Sequence, residues 1–178
     1  MNLLETENIR LRALEQADLE ALYRWENDTS VWGVSGTLLP FSRRVLTMFI
    51  EQQSQDIYET RQTRFIIERI ADRKAVGAVD IFDFDPFNMR AGVGILIYDM
   101  QDRGKGYAAD ALTALKRYAF GILRLHQLYC SIPVDNAASI TLFEDVGFTS
   151  CGVRRDWLKS SGGWKDEILY QLINADGK

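Results

Sequence analysis

The feature that most constrains the fold is a glycine-rich turn, QDRGKG at residues 101–106, set between an apolar segment and a helical pattern. The apolar segment, residues 93–98, predicts a buried strand, and the helix is predicted to begin at about Gly104. Glycine lets backbone N–H groups crowd one point, and the first turn of a helix leaves its amides unpaired. The unit therefore predicts an anion site, usually for phosphate or pyrophosphate, to which Arg103 and Lys105 add charge. The alternative is a plain turn with solvated basic residues.

The spacing of the turn argues against two well-known phosphate loops. A Walker loop requires glycine at position 99 and Ser or Thr at position 106, where this chain has Asp99 and Gly106. A dinucleotide-binding turn requires a third glycine at position 109, where this chain has Ala109. A nucleotide-binding enzyme of either type is therefore disfavoured.

Length and charge limit the class of protein. A chain of 178 residues predicts one domain with a substantial core. The net charge of −4 argues against a nucleic-acid partner, because proteins that bind phosphate backbones are usually basic. The apolar runs are too short to span a membrane and the N-terminus lacks the features of a signal peptide, so we expect a cytoplasmic protein without a membrane partner.

Cysteine and histidine give no metal signature. Cys130 and Cys151 lack the spacing of metal ligands, and both lie in strand-like runs that predict core thiols. The single histidine, His126, starts an apolar run and is best interpreted as a strand-end residue. We therefore expect no metal site.

Hydrophobic periodicity predicts the order β-α-α-β-β-β-α-β-α-β-β, which is one mixed α/β domain over residues 1–174 with a partly antiparallel sheet and a loose tail at 175–178. The predicted strands are 9–12, 63–69, 75–84, 90–98, 126–133, 148–158 and 164–173. The predicted helices are 16–26, 42–55, 104–122 and 136–146. Ser42 is expected to cap the second helix and Val45 to face inward.

The segment 31–40 is apolar but carries two glycines and a proline, which predicts an ordered loop. Its side chains Trp32, Leu38 and Leu39, with Phe41 just after it, have the composition of a substrate-pocket wall. A loop that only packs on the core is an equally good interpretation.

Three motifs, each on the expected element, together resemble the GNAT superfamily of N-acetyltransferases over nearly the whole chain. Gln101-x-x-Gly104-x-Gly106 followed by Tyr-Ala resembles the pyrophosphate loop of that family. LRAL at 11–14 followed by Asp18-Leu19 looks like the opening of the branch that contains ribosomal-protein N-terminal acetyltransferases and spermidine acetyltransferases. Asn136-x-x-Ser139, Phe143 and then Gly147-Phe148 resemble a second block of that branch. The resemblance implies a mostly antiparallel sheet, splayed in the middle and flanked by helices.

The resemblance further implies direct transfer of an acetyl group from acetyl-coenzyme A to a primary amine, which is a polyamine, another small amine or a peptide N-terminus. In the family the pantetheine arm bonds to the backbone at positions matching Ile95, Leu96 and Ile97. The pyrophosphate is expected on the amides of residues 103–108, from Arg103 through Gly104, Lys105, Gly106 and Tyr107 to Ala108. Asn136 and Phe143 match cofactor-contacting positions of the second block. The family resemblance also allows a homo-oligomer.

The catalytic groups are less sharply defined by the sequence. Many relatives place a tyrosine general acid where this chain has Phe143, so Ser139, Tyr98, Tyr107 or a water is left for that task. For the base, Asp83 is the first choice and Asp80 the second. The two lie three residues apart, so a regular strand would put them on opposite faces unless a bulge intervenes. A turn-capping carboxylate is the other interpretation of Asp83.

Two open points concern the substrate and the activity itself. Spermidine acetyltransferases carry extra acidic residues at positions that here match Leu38, Leu39 and Gly92, which weakens the case for a polycation. Because Phe143 cannot donate a proton, a catalytically weak or inactive coenzyme A-binding sensor is the alternative to an enzyme.

Overall fold

The computed structural model describes residues 2–175. Within them the strands are β1 (Ile9–Ala13), β2 (Thr63–Arg69), β3 (Ala75–Asp85), β4 (Arg90–Ile97), β5 (Gln127–Pro133), β6 (Thr149–Ser160) and β7 (Gly163–Ile173). The α-helices are α1 (Leu19–Glu26), α2 (Trp32–Ser35), α3 (Arg43–Gln52), α4 (Ile57–Thr60), α5 (Tyr107–Gly121) and α6 (Ala137–Asp145). Of the predicted tail, residues 176–178 lie outside the described residues, and the domain bounds stay a prediction.

The strands form one seven-stranded sheet in the order β1-β2-β3-β4-β5-β7-β6. Every neighbouring pair is antiparallel except β4 and β5, which are parallel. That parallel pair is short, because only residues 90–92 of β4 pair with residues 127–129 of β5. Beyond Gly92 and Tyr129 the two strands part, so the predicted splay in a mostly antiparallel sheet is confirmed.

Helices cover both faces of the sheet. The larger core packs α5 against the sheet through residues such as Ala111, Leu115 and Ile67. A smaller core on the other face joins α1 and α3 to β2 through Leu22, Leu46 and Ile66. Since the second half of β4 pairs with β3 but not with β5, the splay opens as a cleft between the two helical layers.

The LRAL motif at residues 11–14 and the following Asp18 form a buried cluster of ion pairs, which we call the anchor. Arg12 donates from both terminal nitrogens to Asp18, at 2.7 and 2.8 Å, and from Nε to Glu68 at 2.6 Å. Both carboxylates are buried, at 5 % exposure each. Burial opposes ionisation of Glu68, but its bonds to Arg12 and Arg10 outweigh that and lower its pKa. The anchor ties the entry of α1 to the edge of the sheet.

The structure corrects several local predictions. The helix predicted from Gly104 begins at Tyr107, because Gly104 and Gly106 hold φ angles of +70° and +83° that do not continue a helix. The segments predicted as loop or connector contain the short helices α2 and α4. Cys151 is exposed rather than a core thiol, whereas Cys130 is buried as predicted.

The second predicted helix is shorter than expected and turns one side chain the other way. Ser42 caps it as predicted, accepting the N–H of Val45 at 3.3 Å. The helix ends at Gln52 and not at residue 55. Val45 is 49 % exposed, so the inward orientation predicted for it was wrong.

Candidate active site

A cavity of about 660 Å³ lies between the splayed strand β4, the glycine turn and α6. Its wall includes both ends of the predicted cofactor site, from Ile95 on β4 to Ala108 in the first turn of α5. All the residues predicted to bind the cofactor line it except Lys105 and Phe143. We call this the cofactor cavity.

The glycine turn presents unpaired amides to the cofactor cavity. Within residues 2–175, no hydrogen-bond acceptor is assigned to the backbone N–H groups of residues 104–108, and Asp110 is the first to bond back into the helix, to Gly106 at 3.0 Å. A Cβ atom added at Gly104 would meet nothing within 4 Å, so backbone conformation and not crowding requires glycine there. These five amides and that of Ala109, which also has no acceptor among the described residues, lie at the positive end of a 15-residue helix and favour an anion.

Arg103 serves the turn in a different way from the one predicted. Its own N–H already donates to Met100 at 3.3 Å. Its guanidinium donates to the carbonyls of Ile97, at 2.8 Å, and Tyr98, at 3.2 Å. Arg103 therefore fixes the end of β4 to the glycine turn, and the free amides begin at Gly104.

A buried carboxylate organises the basic residues behind the turn. Asp102 is 3 % exposed and accepts hydrogen bonds from Lys74 and Arg69, both at 2.8 Å. Lys105 is also paired with it, at 3.7 Å. The bond from Lys74 outweighs the cost of burial and lowers the pKa of Asp102. Asp102 therefore stays ionised at neutral pH and holds cations close to the turn.

The open edge of β4 can accept an extended ligand. Tyr98 donates its N–H to Val76 of β3 at 3.2 Å. Because backbone groups alternate sides along an antiparallel strand, those of Ile95 and Ile97 face the gap and those of Leu96 face β3. The Ile97 carbonyl is already occupied by Arg103, so Ile95 offers both its N–H and its C=O. Leu96 contributes its side chain to the cavity wall.

The start of α6 closes the cleft from the other side. Asn136 caps the helix by accepting the N–H of Ser139 at 3.1 Å. Both residues line the cofactor cavity and also a second cavity that adjoins it. Phe143 is 4 % exposed, packs edge-on against Phe148 at 5.0 Å, and lines only the second cavity.

The second cavity, of about 580 Å³, has charged groups in its wall, and we call it the acceptor cavity. Arg64 forms a two-pronged ion pair with Asp80, at 2.7 and 2.9 Å, and also donates to Glu26 at 2.5 Å. All three side chains line the cavity. Two carboxylates against one guanidinium leave one net negative charge at neutral pH, which suits a single ammonium group.

Tyr98 stands between the two cavities and lines both. It stacks on Trp25 with ring centroids 4.2 Å apart and an interplanar angle of 6°. Burial raises its pKa well above the usual range, and the nearby carboxylates of Glu26 and Asp80 add to this against the opposing effect of Arg64. Tyr98 therefore stays protonated and is a poor proton donor to a thiolate.

Asp83 lies outside the acceptor cavity. It has φ of +48°, and the register between β3 and β4 shifts between Phe82 and Asp85. This bulge does not bring Asp80 and Asp83 into one cavity. It turns Asp83 into an open groove, where the hydroxyl of Tyr129 donates to its carboxylate at 3.5 Å.

Of the apolar side chains in and just after the segment 31–40 that were expected in the wall of a substrate pocket, Phe41 lines the acceptor cavity, whereas Trp32, Leu38 and Leu39 do not. Leu38 and Leu39 are 87 % and 74 % exposed, and neither lines the cofactor cavity or the acceptor cavity. The Trp32 indole N–H donates to the Glu26 carbonyl at 2.9 Å, which packs the segment on α1. Ser35, Thr37 and Phe41 form this side of the acceptor cavity.

Sequence reasoning missed the two other charged residues of the acceptor cavity, Glu26 and Arg64, and the role of Asp80 as the partner of Arg64. The available signal was a charge of opposite sign in each of two adjacent apolar strands, Arg64 in β2 and Asp80 in β3, which pair directly across the sheet. Glu26 gave no comparable signal, because it ends an amphipathic helix whose last turn is typically solvated.

Within residues 2–175, no cluster of three or more His, Cys, Asp or Glu side chains is arranged to hold a metal ion. In the same range, no helix combines the length and apolarity needed to cross a membrane.

Comparison with known proteins gives a family match over most of the chain. The profile described as "Acetyltransferase (GNAT) domain" matches residues 8–149. Spermidine N(1)-acetyltransferase of Vibrio cholerae is 26% identical over 170 residues, covering 94% of each chain. The ribosomal protein uS5-alanine N-acetyltransferase of Escherichia coli is 32% identical over 74 residues, which is 42% of this chain and 38% of that one.

A solved structure shares the whole fold. The crystal structure of spermidine N-acetyltransferase from Vibrio cholerae, in complex with CoA and spermine, superposes with a TM-score of 0.85. It covers 97% of this chain and 99% of its own, at 23% identity.

Proposed function

From the premise that this chain belongs to the acetyltransferase (GNAT) family and is an acetyl-coenzyme A-dependent N-acetyltransferase, we propose how its two cavities divide the reaction. The cofactor cavity binds acetyl-coenzyme A, with the pyrophosphate on the amides of residues 104–108 and the pantetheine along Ile95. The acceptor cavity binds a primary amine. The acetyl group is passed directly from the thioester to the amine.

The observation that carries this proposal is that the two cavities meet at the splay. Five residues line both: Ile95, Leu96, Tyr98, Asn136 and Ser139. A thioester that follows the open edge of β4 would end at this junction, where an amine held in the acceptor cavity can reach its carbonyl carbon. Direct attack requires such contact between the reacting atoms.

The chemistry needs a neutral amine and a stabilised oxyanion. An ammonium has no lone pair, so its proton must leave first. We assign that proton to Asp80, through water, because Asp80 lines the acceptor cavity and Arg64 fixes its carboxylate. Asp83 is the second candidate, acting from the neighbouring groove beside Tyr129. The N–H of Ile95 faces the gap and can donate to the oxyanion that forms from the thioester carbonyl.

The leaving group can depart without a tyrosine. Phe143 has no proton to give, and burial makes Tyr98 a poor acid. A free thiol has a pKa of about 8.5, so the thiolate of coenzyme A is a tolerable leaving group near neutral pH. The proton that the attacking nitrogen loses when the tetrahedral intermediate collapses then passes to the thiolate, relayed by the Ser139 hydroxyl at the cavity junction or by a water.

The remaining features of the proposal concern the setting of the enzyme. We propose a small amine or a peptide N-terminus as acceptor, in line with what the named relatives acetylate. We also propose that no metal is required, that the enzyme works in the cytoplasm, that neither nucleic acid nor a membrane takes part, and that the chain forms a homo-oligomer.

Release of free thiol from acetyl-coenzyme A tests the proposal over a panel of polyamines, monoamines, amino acids and peptides with free N-termini. We expect turnover with at least one class of amine. We expect Asp80→Asn to lower kcat/KM by about 10²-fold or more, the usual range for loss of a general base. Saturable binding of acetyl-coenzyme A without turnover of any amine would instead favour the sensor.

A further inference from the structure

A third cavity, of about 330 Å³, adjoins the acceptor cavity on the side of α3. The two share three lining residues, Glu26, Phe41 and Arg64. Apart from the two charged residues, its wall is almost entirely apolar: Phe41, Val45, Leu46, Met48 and Phe49, with Gln52 at one end. We call it the side pocket.

Two apolar side chains of α3 line the side pocket instead of packing into the core. Val45 and Met48 are 49 % and 50 % exposed, although they lie on a helix whose inward residues Leu46 and Ile50 are buried. Exposing such side chains has a cost in water unless they cover something. Both line the side pocket, next to the cavity proposed above to bind the amine.

The charges of the acceptor cavity suit one ammonium and not several. Its carboxylates, Glu26 and Asp80, are both bonded to Arg64, so the net charge of the three is −1. Within the part of the chain that the structure describes, the side pocket is lined by no carboxylate other than Glu26. A second ammonium in the side pocket would lose part of its hydration and would find only Glu26, whose carboxylate is already bonded to Arg64.

We propose that the acceptor is a monoamine with an apolar tail, and that the tail lies in the side pocket while the amine lies in the acceptor cavity. This rests on the function proposed above and specifies its substrate. The ion pair between Glu26 and Arg64 borders both compartments, so the amine end meets charge and the tail meets Phe41, Met48 and Phe49. The pocket thus selects for hydrocarbon and against a second charge.

Two amine series test the proposal by their relative kcat/KM values. Lengthening the substrate from ethylamine to hexylamine adds four methylenes, each worth about 0.8 kcal/mol when buried, or roughly fourfold. Since burial in an open pocket is partial, we expect a total rise of between about 10- and 100-fold. Hexylamine and 1,6-diaminohexane have equal chain lengths, and we expect hexylamine to be preferred by at least about tenfold.

A charge placed in the side pocket reverses that preference. Met48→Glu puts a carboxylate beside the tail on a half-exposed position that tolerates polar residues. We expect hexylamine to lose at least about tenfold, ethylamine to change by less than about twofold, and 1,6-diaminohexane to gain. The matched control is Ile122→Glu, at a residue of similar exposure, 56 %, that lines none of the three cavities. It should leave all three values unchanged.

The outcomes separate this proposal from the function on which it rests. Acetylation of amines with no dependence on chain length, or with a preference for the diamine, overturns the side-pocket proposal and leaves the acetyltransferase mechanism standing. Failure to acetylate any amine overturns both. If Met48→Glu changes the sedimentation coefficient but not the substrate preference, the exposed side chains of the side pocket form a subunit contact. That result also overturns the proposal.

Discussion

Single residues matter most at the glycine turn, where two positions need a conformation that side chains disfavour. Gly104 has φ of +70° with open space around the site of a Cβ atom. Substitution there changes backbone strain and local charge without any steric clash. The position therefore separates the contribution of the turn's shape from that of its electrostatics.

We predict that Gly104→Asp abolishes binding of coenzyme A, with a loss of more than about 100-fold, because it places a carboxylate against the pyrophosphate. Gly104→Ala is the control. Alanine must adopt the left-handed backbone conformation that Gly104 has, which costs about 1–2 kcal/mol, but it adds no charge. Isothermal titration calorimetry measures both. Unchanged affinity in the aspartate variant would contradict the site, and equal losses in the two variants would show that only shape matters.

Asp102 is a positioning residue for the same turn. We predict that Asp102→Asn raises the KM for acetyl-coenzyme A by about tenfold, because the amide releases Arg69, Lys74 and Lys105 from their common partner. The KM for the amine and kcat should change by less than about twofold. Steady-state kinetics with each substrate varied in turn gives the split. A parallel fall in kcat for every substrate would indicate general loss of structure instead.

At the scale of elements, the cleft depends on how α6 begins beside the open edge of β4. Asn136 both caps that helix and lines the two main cavities. Ser42 caps α3 by the same kind of bond and lines none of the three cavities. The two caps therefore form a matched pair.

We predict that Asn136→Ala and Ser42→Ala each cost about 1 kcal/mol of folding free energy, the usual value for a lost helix cap. Only Asn136→Ala should also raise the KM for acetyl-coenzyme A. Chemical denaturation and initial-rate kinetics on both variants provide the comparison. A similar rise in KM for Ser42→Ala would show that the effect comes from stability and not from the cleft.

Elements were predictable from the sequence where hydrophobic period and local signals agree. β2, β3, β5 and β7 were located to within a residue or two, and the cap at Ser42 was identified. The start of α5 was misplaced because periodicity continues through Gly104 and Gly106, and only their backbone angles break the helix. The one-turn helices α2 and α4 are too short to leave a periodic signal.

The cofactor cavity was predictable from the sequence, whereas most of the acceptor cavity was not. The glycine turn and β4 are contiguous in sequence, so the order of residues alone identifies their chemistry. The acceptor cavity is assembled from residues of α1, β2, β3, β4, β5, α6 and the segment before α3, and the pairing of Arg64 with both Glu26 and Asp80 exists only after folding. Leu38 and Leu39 have the composition of a pocket wall, but nothing local to the sequence shows that they point to solvent.

For the whole molecule, buried ion pairs set the dependence of stability on pH. The folded state lowers the pKa of Asp102, mainly through Lys74, and lowers that of Glu68 through Arg12 and Arg10 despite burial. A lowered pKa stabilises the fold fully above the unfolded-state pKa, about 4, and the stability is lost as pH falls through the folded value. Burial raises the pKa of Cys130 to about 12, which acts in the opposite direction at high pH.

We predict that the free energy of unfolding is flat from about pH 6 to pH 8 and falls on both sides. Below about pH 4.5, protonation of the unfolded carboxylates favours unfolding, and above about pH 9 ionisation of the unfolded thiol does so. Urea denaturation across this range measures the profile. Cys130→Ser should flatten the alkaline side only. A decline that begins above pH 6 on the acid side would contradict the assignment to these carboxylates.

The most direct test of the central claim is a crystal structure of the protein with coenzyme A. The account predicts that the pyrophosphate accepts hydrogen bonds from the amides of residues 104–108. It also predicts that the pantetheine lies along β4 and donates an amide N–H to the Ile95 carbonyl, and that the sulfur ends at the junction of the cofactor and acceptor cavities. Coenzyme A bound anywhere else, or a closed gap between β4 and β5, would contradict it.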